Sequence, residues 1–574
     1  MNRRHIEATP SSVIVEQLVA SGVEYVFNNP GSREARFLDA LHSHKAIKGI
    51  TALHEGAVAA MAGGYAQSGA GPAVMTVHLG AGVAQSLGQF INLAQAGLPV
   101  VLISFAGDTG SYYDTIAMDV GHDFGPTSIS TPFTKASWTV VEPGALPLAV
   151  DRALRVATTP PVGPVHVAVY DRVLGPETIE TDILEGGTYD VRAGYPDDGD
   201  VEEIDRALRD AERPLLFFGD GVEKAGAQAA LMSLAERLGL PVAGDVRGFP
   251  IKHPLHCGDI RTAADALRPD TIICIGVRHS GAGFPEGHSP TSLADLVIAI
   301  GPGDESYKNI QDVDKVVLAD ELRTLERLEA LSEAPADGAR WEQRRGWALE
   351  QAASLRAARR KAALAGEIEG PHVRGSFLGD TLDAALERRG GARVLMEQFC
   401  VPVNTIGGQG GPGRNEYMYA AGGSEGYAIG GTIGLKIGAP EKRVVGLVGD
   451  GSMLYSDSGI WTAAHHHVPV LYVIPNNQSY GVVAGAFAAA GGQMKQTGEY
   501  AGLALQGIDL AKLAEGFGVQ SMTVADESTV ADAIETALDV VDNDERPFLL
   551  DVRLPLGLPD GGRPVPPFHL AGAS

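Results

Sequence analysis

Cysteine is scarce in this chain, and positive charge is in short supply. Three cysteines occur in 574 residues, at Cys257, Cys274 and Cys400. They are too few and too widely spaced for a disulfide framework or a zinc site, so we expect reduced, mostly buried thiols and a cytoplasmic protein. Lysine and arginine number 45 against 71 acidic residues, a net charge of -26. Because nucleic acid and anionic membrane surfaces both require a basic face, we expect neither as a partner.

Long apolar runs are also lacking. No run reaches the length of about 18 apolar residues that a membrane-spanning helix needs. The start, MNRRHIEATPSS, is charged, and Glu16, Ser21 and Glu24 interrupt the stretch behind it, so it is not typical of a signal peptide. Hydrophobic residues make up 44% and charged residues 20% of the chain. This composition is typical of a globular protein with several cores, and the length predicts two to four domains.

Strand and helix patterns alternate along three segments, about 1–178, 198–332 and 369–574. Such alternation is typical of parallel sheets covered by helices on both faces. Residues 174–200 are rich in Gly, Pro, Asp and Glu and have the composition of a linker, and 335–368 have the composition of a solvated connecting helix. The sequence therefore predicts an α/β protein of three doubly wound parallel-sheet domains.

The most informative stretch is GDGSMLYSDSGIWTAAHHHVPVLYVIPNNQSYG, at 449–481. An apolar strand precedes Asp450, and a helix and a second apolar strand separate it from Asn477. Since ligands bind at the carboxyl ends of strands in open α/β sheets, we expect both side chains at one edge. A carboxylate, an amide oxygen and a nearby carbonyl are ligands that suit Mg²⁺. The amides of Gly451 and Ser452 are placed to hold a diphosphate.

This stretch resembles the diphosphate-binding motif of thiamine-diphosphate (ThDP) enzymes, in which GDG is followed by NN one strand–helix–strand unit later. The resemblance implies ThDP and Mg²⁺ as cofactors. It implies Asp450, Asn477 and the carbonyl of Ser479 as metal ligands, and further cofactor contacts at Tyr480 and Gly481.

Three polar residues end strands of the first segment: Ser32 in NNPGSRE, Glu55 in LHEGA and His78 in TVHLGAG. Parallel strands would place them in a row along one sheet edge. The three stretches resemble, in order and spacing, those of the benzoylformate decarboxylases among ThDP enzymes. The resemblance implies that Glu55 binds the pyrimidine N1′ of the cofactor and that Ser32 and His78 are catalytic. It assigns further cofactor contacts to Asn29, Pro30 and Gly31.

The resemblance also implies the chemistry. Glu55 would activate the cofactor through its pyrimidine ring, and His78 would transfer protons, since histidine suits proton transfer near neutral pH. Ser32 would bind the substrate carboxylate or relay a proton. In this family the pyrimidine-binding and diphosphate-binding domains of different subunits meet at one cofactor. Self-association, as a dimer or a homotetramer built as a dimer of dimers, is therefore expected.

One position departs from the family pattern. In AAGGSEGYAIGG, at 420–431, the family places a bulky apolar side chain against the bent cofactor, and the aligned residue here is Glu425. Either the carboxylate takes that place, with the thiazolium cation as partner, or an insertion beside Ser424 shifts the register. A buried charge must be paired or have its pKa shifted. Gly423 is expected to contact the cofactor.

The substrate pocket and the central domain carry weaker indications. Residues after the NN turn line the pocket in the family, which implies Val482, Val483, Ala486 and Phe487 here. Decarboxylases take a second histidine from the central domain, but neither His279 nor His288 stands at the expected offset. The family's central domain is a modified nucleotide-binding fold that carries FAD in some members, and the sequence leaves FAD open.

Three functions stay open on the sequence alone. Ser32 and His78 favour non-oxidative decarboxylation of a 2-oxo acid to an aldehyde. The alternative is carboligation or C–C cleavage, as in acetohydroxyacid synthase or 2-hydroxyacyl-CoA lyase, with residues 112–114 where some relatives contact acyl groups. The third is a ThDP-binding protein without turnover, for which Glu425 is the indication. The partner is in each case a small 2-oxo acid or acyl compound, whose identity the sequence does not give.

Overall fold

Three parallel sheets dominate the computed structural model of the chain. It describes residues 2–107, 124–186, 193–244, 248–278, 289–331, 338–365, 372–402, 414–493, 496, 502, 503, 505 and 507–555. These residues form three six-stranded sheets and one two-stranded antiparallel ribbon. The predicted fold class, three α/β domains with parallel sheets, is confirmed, whereas the domain boundaries stay predictions.

In the first domain, helices alternate with the strands of a sheet ordered β3-β2-β4-β5-β7-β6. Its elements are β1 (Asn2–Ala8), α1 (Pro10–Ala20), β2 (Tyr25–Asn28), α2 (Ala35–Ser43), β3 (Lys48–Thr51), α3 (Glu55–Gln67), β4 (Ala73–His78), α4 (Leu79–Gln95), β5 (Val100–Ala106), β6 (Ala136–Val140), α5 (Leu146–Thr158), β7 (Val165–Tyr170) and β8 (Ile179–Glu185). Strand β8 lies inside the segment expected to be a linker, where it pairs antiparallel with β1. Because β3, β2 and β4 are neighbours, the residues that follow them share one edge.

The central domain has a sheet ordered β11-β10-β9-β12-β13-β14. Its elements are α6 (Asp198–Asp210), β9 (Pro214–Phe218), α7 (Gly221–Lys224), α8 (Gln228–Leu238), β10 (Val242–Gly244), β11 (His256–Gly258), α9 (Ile260–Leu267), β12 (Thr271–Ile275), β13 (Leu296–Gly301), β14 (Lys315–Leu318) and α10 (Glu321–Leu331). Helix α11 (Gly338–Ala365) follows. It packs on this domain instead of being fully solvated, since Ala348 and Ala352 are buried and the Arg344 guanidinium donates to the carbonyls of Leu208 and Leu238.

The third domain has a sheet ordered β16-β15-β17-β18-β20-β19. Its elements are α12 (Gly375–Arg388), β15 (Arg393–Glu397), β16 (Glu416–Tyr419), α13 (Ala428–Gly438), β17 (Val444–Val448), α14 (Asp450–Tyr455), α15 (Gly459–His465), β18 (Leu471–Asn476), α16 (Gly481–Ala489), α17 (Leu510–Gly516), β19 (Gln520–Val524), α18 (Glu527–Asn543) and β20 (Phe548–Arg553). Strands β17 and β18 are parallel neighbours, as the GDG-to-NN spacing predicts.

The first and third domains pack through glycine faces of α3 and α13. A Cβ on Gly64 would lie 1.9 Å from the carbonyl oxygen of Gly431, and one on Gly434 would lie 1.9 Å from that of Met61. The Tyr427 hydroxyl donates to Gln67 Oε1 across the same contact at 2.7 Å. The two helices approach so closely that no side chain fits between their backbones, which fixes the two domains relative to each other.

The cysteines and the helices bear on two expectations from composition, buried reduced thiols and the lack of a membrane-spanning helix. All three cysteines are free and buried, and burial raises the pKa of the Cys257 and Cys274 thiols to about 12. They therefore stay protonated and unreactive. Within the described part of the chain, no helix has both the length and the apolar composition to cross a bilayer.

We predict that Gly64→Ala destabilises the protein by about 2 kcal/mol or more, because a methyl group in this contact forces the helix backbones apart. Gly346→Ala is the matched control. That glycine is exposed within α11, and no neighbouring atom lies within 4 Å of the position that its methyl group would take, so the change should be neutral or slightly stabilising. Urea unfolding followed by circular dichroism measures both. Equal midpoints for the two variants would show that the contact tolerates a side chain.

Candidate active site

The structure brings Asp450 and the turn after β18 together. Asp450 begins α14 directly after β17, and Asn477 follows the neighbouring strand. The backbone N–H groups of Gly451, Gln478 and Ser479 donate to the Asp450 carboxylate. Hydrogen bonds to one carboxylate therefore join the two strand ends, and the predicted placement of Asp450 beside Asn477 is what the structure has.

One oxygen of the Asp450 carboxylate lacks a partner. Its Oδ2 is buried and has no hydrogen bond to any described residue, and burial raises the pKa of this carboxyl to about 6. Asn477 and Ser479 are buried beside it, each 3% exposed. A buried, unpaired carboxylate oxygen is costly, and a cation removes that cost, so this oxygen-donor set fits Mg²⁺. Among the described residues no group of three or more His, Cys, Asp or Glu could hold a metal.

Glu425 lies against the same turn. The Ser452 hydroxyl donates to the Glu425 carboxylate, and Gln89 of α4 donates to its backbone carbonyl at 2.7 Å. Asn92 Oδ1, also on α4, accepts from the backbone N–H of Gly423 at 3.0 Å. The first domain thus holds this loop from one side while Ser452 holds it from the other. The Glu425 carboxylate thus lies beside Ser452, and whether it takes the place of the family's apolar side chain against the cofactor stays a prediction.

Glu397 is a second carboxylate of this region, and sequence reasoning missed it. It ends β15 and is 8% exposed, and its two oxygens accept from the N–H groups of Tyr427 at 3.0 Å and Ala428 at 2.8 Å. Burial, reinforced by the nearby charge of Glu425 and opposed by these amides, raises the pKa of Glu397 to about 8. Glu397 therefore carries a proton at neutral pH. Its position at the end of an apolar strand was the available signal.

In the first domain, His78 is paired with a carboxylate that sequence reasoning also missed. His78 Nδ1 lies 2.7 Å from Glu34 Oε2, and the Gly31 N–H donates to the same oxygen at 2.9 Å. Glu34 is fully buried. A Cβ on Gly31 would lie 2.1 Å from His78 Nδ1, so glycine is required for this approach. Glu34 stands two positions after Ser32 in the quoted motif, and only the fold shows which side chain it faces.

The other predicted residues of the first domain lie along the same edge. Ser32 and Pro30 are exposed after β2, and the Asn29 amide donates to the carbonyl of Ala52 at 2.9 Å. Glu55 begins α3 and is half-buried. A Cβ on Gly82 would come within 3.2 Å of its Oε1. The row of polar strand ends exists as predicted, and the roles assigned to its members stay predictions.

The predicted pocket residues lie on α16, which begins at Gly481. Val482, Val483, Ala486 and Phe487 are all exposed, so they form a free apolar face next to the NN turn. Tyr480 is half-buried, with its ring 6.4 Å from that of Tyr455. His279, His288 and residues 112–114 lie outside the described residues.

These features define a class: a three-domain α/β protein with a cluster of buried carboxyl and amide groups at strand ends of its third domain. Three family models match the chain. They are thiamine pyrophosphate enzyme, N-terminal TPP binding domain, over residues 9–123; central domain, over 201–328; and C-terminal TPP binding domain, over 410–552. The chain belongs to the thiamine pyrophosphate (ThDP) enzyme family, and the resemblance found in its motifs is confirmed.

Relatives include two kinds of enzyme. A benzoylformate decarboxylase of Pseudomonas aeruginosa is 27% identical, covering 95% of this chain and 98% of the relative. An acetolactate synthase large subunit of Corynebacterium glutamicum is 26% identical, covering 95% of this chain and 86% of the relative. Among solved structures, the benzoylformate decarboxylase of Polynucleobacter necessarius superposes with a TM-score of 0.79 at 22% identity, over 95% of this chain and 98% of that one, which shows the fold.

We predict that ThDP binding in the presence of Mg²⁺ weakens at acid pH. Mg²⁺ needs the ionised Asp450 carboxylate, and its pKa is raised to about 6. Affinity should therefore be constant above pH 7 and fall about tenfold for each pH unit below 6. Calorimetric titration at fixed Mg²⁺ between pH 5 and 8 measures the effect. Asp450→Asn is the control for protons taken up by the cofactor itself. This variant should bind ThDP more weakly, and its curve of affinity against pH should lack the inflection near pH 6 that Asp450 causes. An identical pH profile for both proteins would refute the assignment.

Proposed function

We propose that the protein is a ThDP-dependent lyase that decarboxylates a 2-oxo acid to an aldehyde. The observation that carries the proposal is the pair of His78 with the buried Glu34, near Ser32 on the strand edge that also bears Glu55. The match to a benzoylformate decarboxylase over 98% of its length supports it. Bound ThDP supplies an electron sink for the pair of electrons left when carbon dioxide departs.

The chain's own residues hold the cofactor and exchange protons. Asp450, Asn477 and the carbonyl of Ser479 would bind Mg²⁺, which anchors the diphosphate. Glu55 would bind the pyrimidine ring. The oxygen-donor set and the unpaired Asp450 Oδ2 support the first assignment, and the position of Glu55 at the start of α3 supports the second.

Glu34 determines how His78 works. In the proposed arrangement the imidazole donates Nδ1–H to Glu34 Oε2, which lies 2.7 Å away. The lone pair is then on Nε2, the nitrogen that can take up or return a proton during the reaction. Ser32 is exposed at the same edge, where its hydroxyl is available to the substrate carboxylate. In this scheme Glu34 is a positioning residue and His78 a catalytic one.

Glu425 has a role in the proposal that an apolar residue could not fill. Its carboxylate, held by Ser452, would compensate the positive charge of the thiazolium ring. Glu397 stays protonated, because burial raises its pKa to about 8. A proton on Glu397 reduces the Coulomb repulsion between the two carboxyl groups.

Self-association is part of the proposal. Three large apolar side chains are exposed next to site residues: Leu53 before Glu55, Phe399 after Glu397, and Tyr455 at the end of α14, with exposures of 50%, 60% and 61%. Burial of such side chains against a second copy is favourable, and it would bring a Glu55 of one subunit to the Asp450 region of another. We propose a dimer of dimers in the cytoplasm.

FAD is not part of the proposal. The turn after β9 is where a dinucleotide fold receives phosphates, and here Asp220 of that turn is bonded to Lys224 at 2.6 Å and Arg278 at 3.1 Å. A Cβ on Gly221 would lie 2.6 Å from Glu321 Oε1. Both of these cations already pair with Asp220, so we leave FAD out of the proposal.

Carboligation is the second candidate, and the acetolactate synthase relative covering 95% of this chain supports it. Incubating the ThDP- and Mg²⁺-loaded protein with benzoylformate, pyruvate and a 2-hydroxyacyl-CoA separates the candidates. Aldehyde without ligation supports decarboxylation. Acetolactate or another ligated product, or an acyl-CoA cleavage product, supports the second candidate. No product from any substrate contradicts both and agrees with a binding protein without turnover.

Glu34→Gln should lower kcat for the decarboxylated substrate by about a hundredfold, because an amide can accept Nδ1–H but cannot stabilise a protonated imidazole by its charge. ThDP affinity and KM should change little. Glu180→Gln, an exposed change in the same domain, is the matched control. Loss of ThDP binding together with activity would show that Glu34 is structural and remove it from the mechanism.

Glu425→Gln should weaken binding of ThDP by about tenfold, since a charge-assisted contact is lost. Binding of a ThDP analogue with an uncharged ring should be unaffected, because that analogue has no charge to compensate. Calorimetry with the two ligands on wild type and variant gives the comparison without any turnover. Equal loss for both ligands would mean that Glu425 shapes the site without acting as a counter-ion.

A further inference from the structure

A cavity of 550 Å³ lies between the first and third domains, away from the predicted cofactor site. It is lined by the end of α2 and the start of β3, by the end of α13, and by the connection between α15 and β18. Strands β2, β3 and β18 begin at this cavity, whereas Ser32, Glu55 and Asn477 follow the opposite ends of the same strands. The cavity and the candidate active site are therefore at opposite edges of the sheets.

The charge of the lining is opposite to that of the protein. Three lysines, Lys45, Lys48 and Lys436, line the cavity together with four histidines. Among the described residues that line it, none is Asp, Glu or Arg. The whole chain has 71 acidic against 45 basic residues, so a lining without a carboxylate is not what average composition gives. The positive groups are collected at this place.

Some of these groups already have partners. The Lys436 ammonium donates to the carbonyls of Pro440 at 2.8 Å and Lys442 at 2.7 Å, with Glu441 nearby. His466 Nε2 accepts from the Thr51 N–H at 2.9 Å, and burial lowers the pKa of this ring, which is therefore neutral. His44 lies 3.6 Å from Glu16. These three groups form the walls of the cavity.

Four groups stay available to a ligand. Lys45, Lys48, His42 and His467 are exposed, and none has an ion-pair partner within 4 Å in the part of the chain that the structure describes. Lys45 and Lys48 are three positions apart at the connection into β3. Both line the same cavity, and an anion bound there would be attracted by both positive charges.

The remaining lining is apolar. Leu41, Ile47, Ile437 and Val468 line the cavity together with the ring of Tyr25. Its volume lies in the range of about 300–1,000 Å³ that small-molecule pockets have, which is more than a bare inorganic ion fills. A ligand that fits has an anionic end for the lysines and an organic body for the apolar wall.

We propose that this cavity binds a small organic anion that carries a phosphate group. Lysine ammonium groups bind phosphate as point charges, and the ligand's body would contact Tyr25 and Ile437. Because the proposal concerns a site at the opposite sheet edge, it does not depend on which reaction the cofactor site performs.

The test is calorimetric titration of the ThDP- and Mg²⁺-loaded protein with adenosine 5′-monophosphate and, separately, inorganic phosphate. Since the cofactor already occupies the diphosphate site, the titration reports on other sites. We expect saturable binding of both probes, the nucleotide more tightly. Lys45→Ala/Lys48→Ala should weaken binding by about tenfold or more, while ThDP affinity stays unchanged.

Lys361→Ala, an exposed lysine on α11, is the matched control and should bind like wild type. Circular dichroism and urea unfolding verify that the double variant is folded. Absence of saturable binding in the wild type would overturn the proposal, as would equal affinities for the control and the double variant. Equal affinity for the nucleotide and for inorganic phosphate would overturn the inference that the ligand has an organic part in contact with the apolar wall.

Discussion

The hydrogen bonds from the turn after β18 to the Asp450 carboxylate are the interaction on which the candidate site depends. Gln478 and Ser479 donate to it, and Gln478 has a φ of 54°, a conformation that side chains other than glycine adopt at a cost. This turn therefore places Asn477 and Ser479 next to Asp450. One carboxylate oxygen is thus used to build the site, and the other stays free for a cation.

The first domain also contributes side chains that hold the candidate site. Gln89 and Asn92 of α4 hold the loop that carries Glu425, and the glycine contact between α3 and α13 fixes the distance between the two domains. Three carboxyl groups, those of Asp450, Glu425 and Glu397, are close to one turn region in a protein that already has an excess of 71 acidic over 45 basic residues. Burial raises the pKa of two of them. Such a concentration of acid is tolerable where cations bind and costly elsewhere.

Sequence reasoning succeeded where the information is local. The period of the strands and the spacing of GDG and NN were enough to place Asp450 beside Asn477. The two strands of a strand–helix–strand unit run parallel with a right-handed crossover, so their carboxyl ends lie at the same edge of the sheet. Glu34 and Glu397 were missed because no single strand–helix–strand unit connects them to their partners: His78 is 44 positions from Glu34, and the amides that bind Glu397 are 30 and 31 positions away in a loop after the next strand. Composition made α11 look solvated, although one face of the helix is buried. Only coordinates show which side of an Ala-rich helix has a neighbour.

The two edges of the sheets differ in charge for a physical reason. At the carboxyl edge lie the carboxyl groups of Asp450, Glu425 and Glu397, where the proposed metal and the cationic ring of the cofactor would compensate their charge. At the amino edge, Lys45 and Lys48 line a cavity together with the connection that follows α15, and the described lining of this cavity has no carboxylate. Opposite charges at the two edges would attract and neutralise each other if they were adjacent, but the sheets separate them by the length of a strand, four residues in β3, or roughly 13 Å. At that distance the side chains of the two edges cannot form ion pairs with one another, which require an N···O distance of about 4 Å or less.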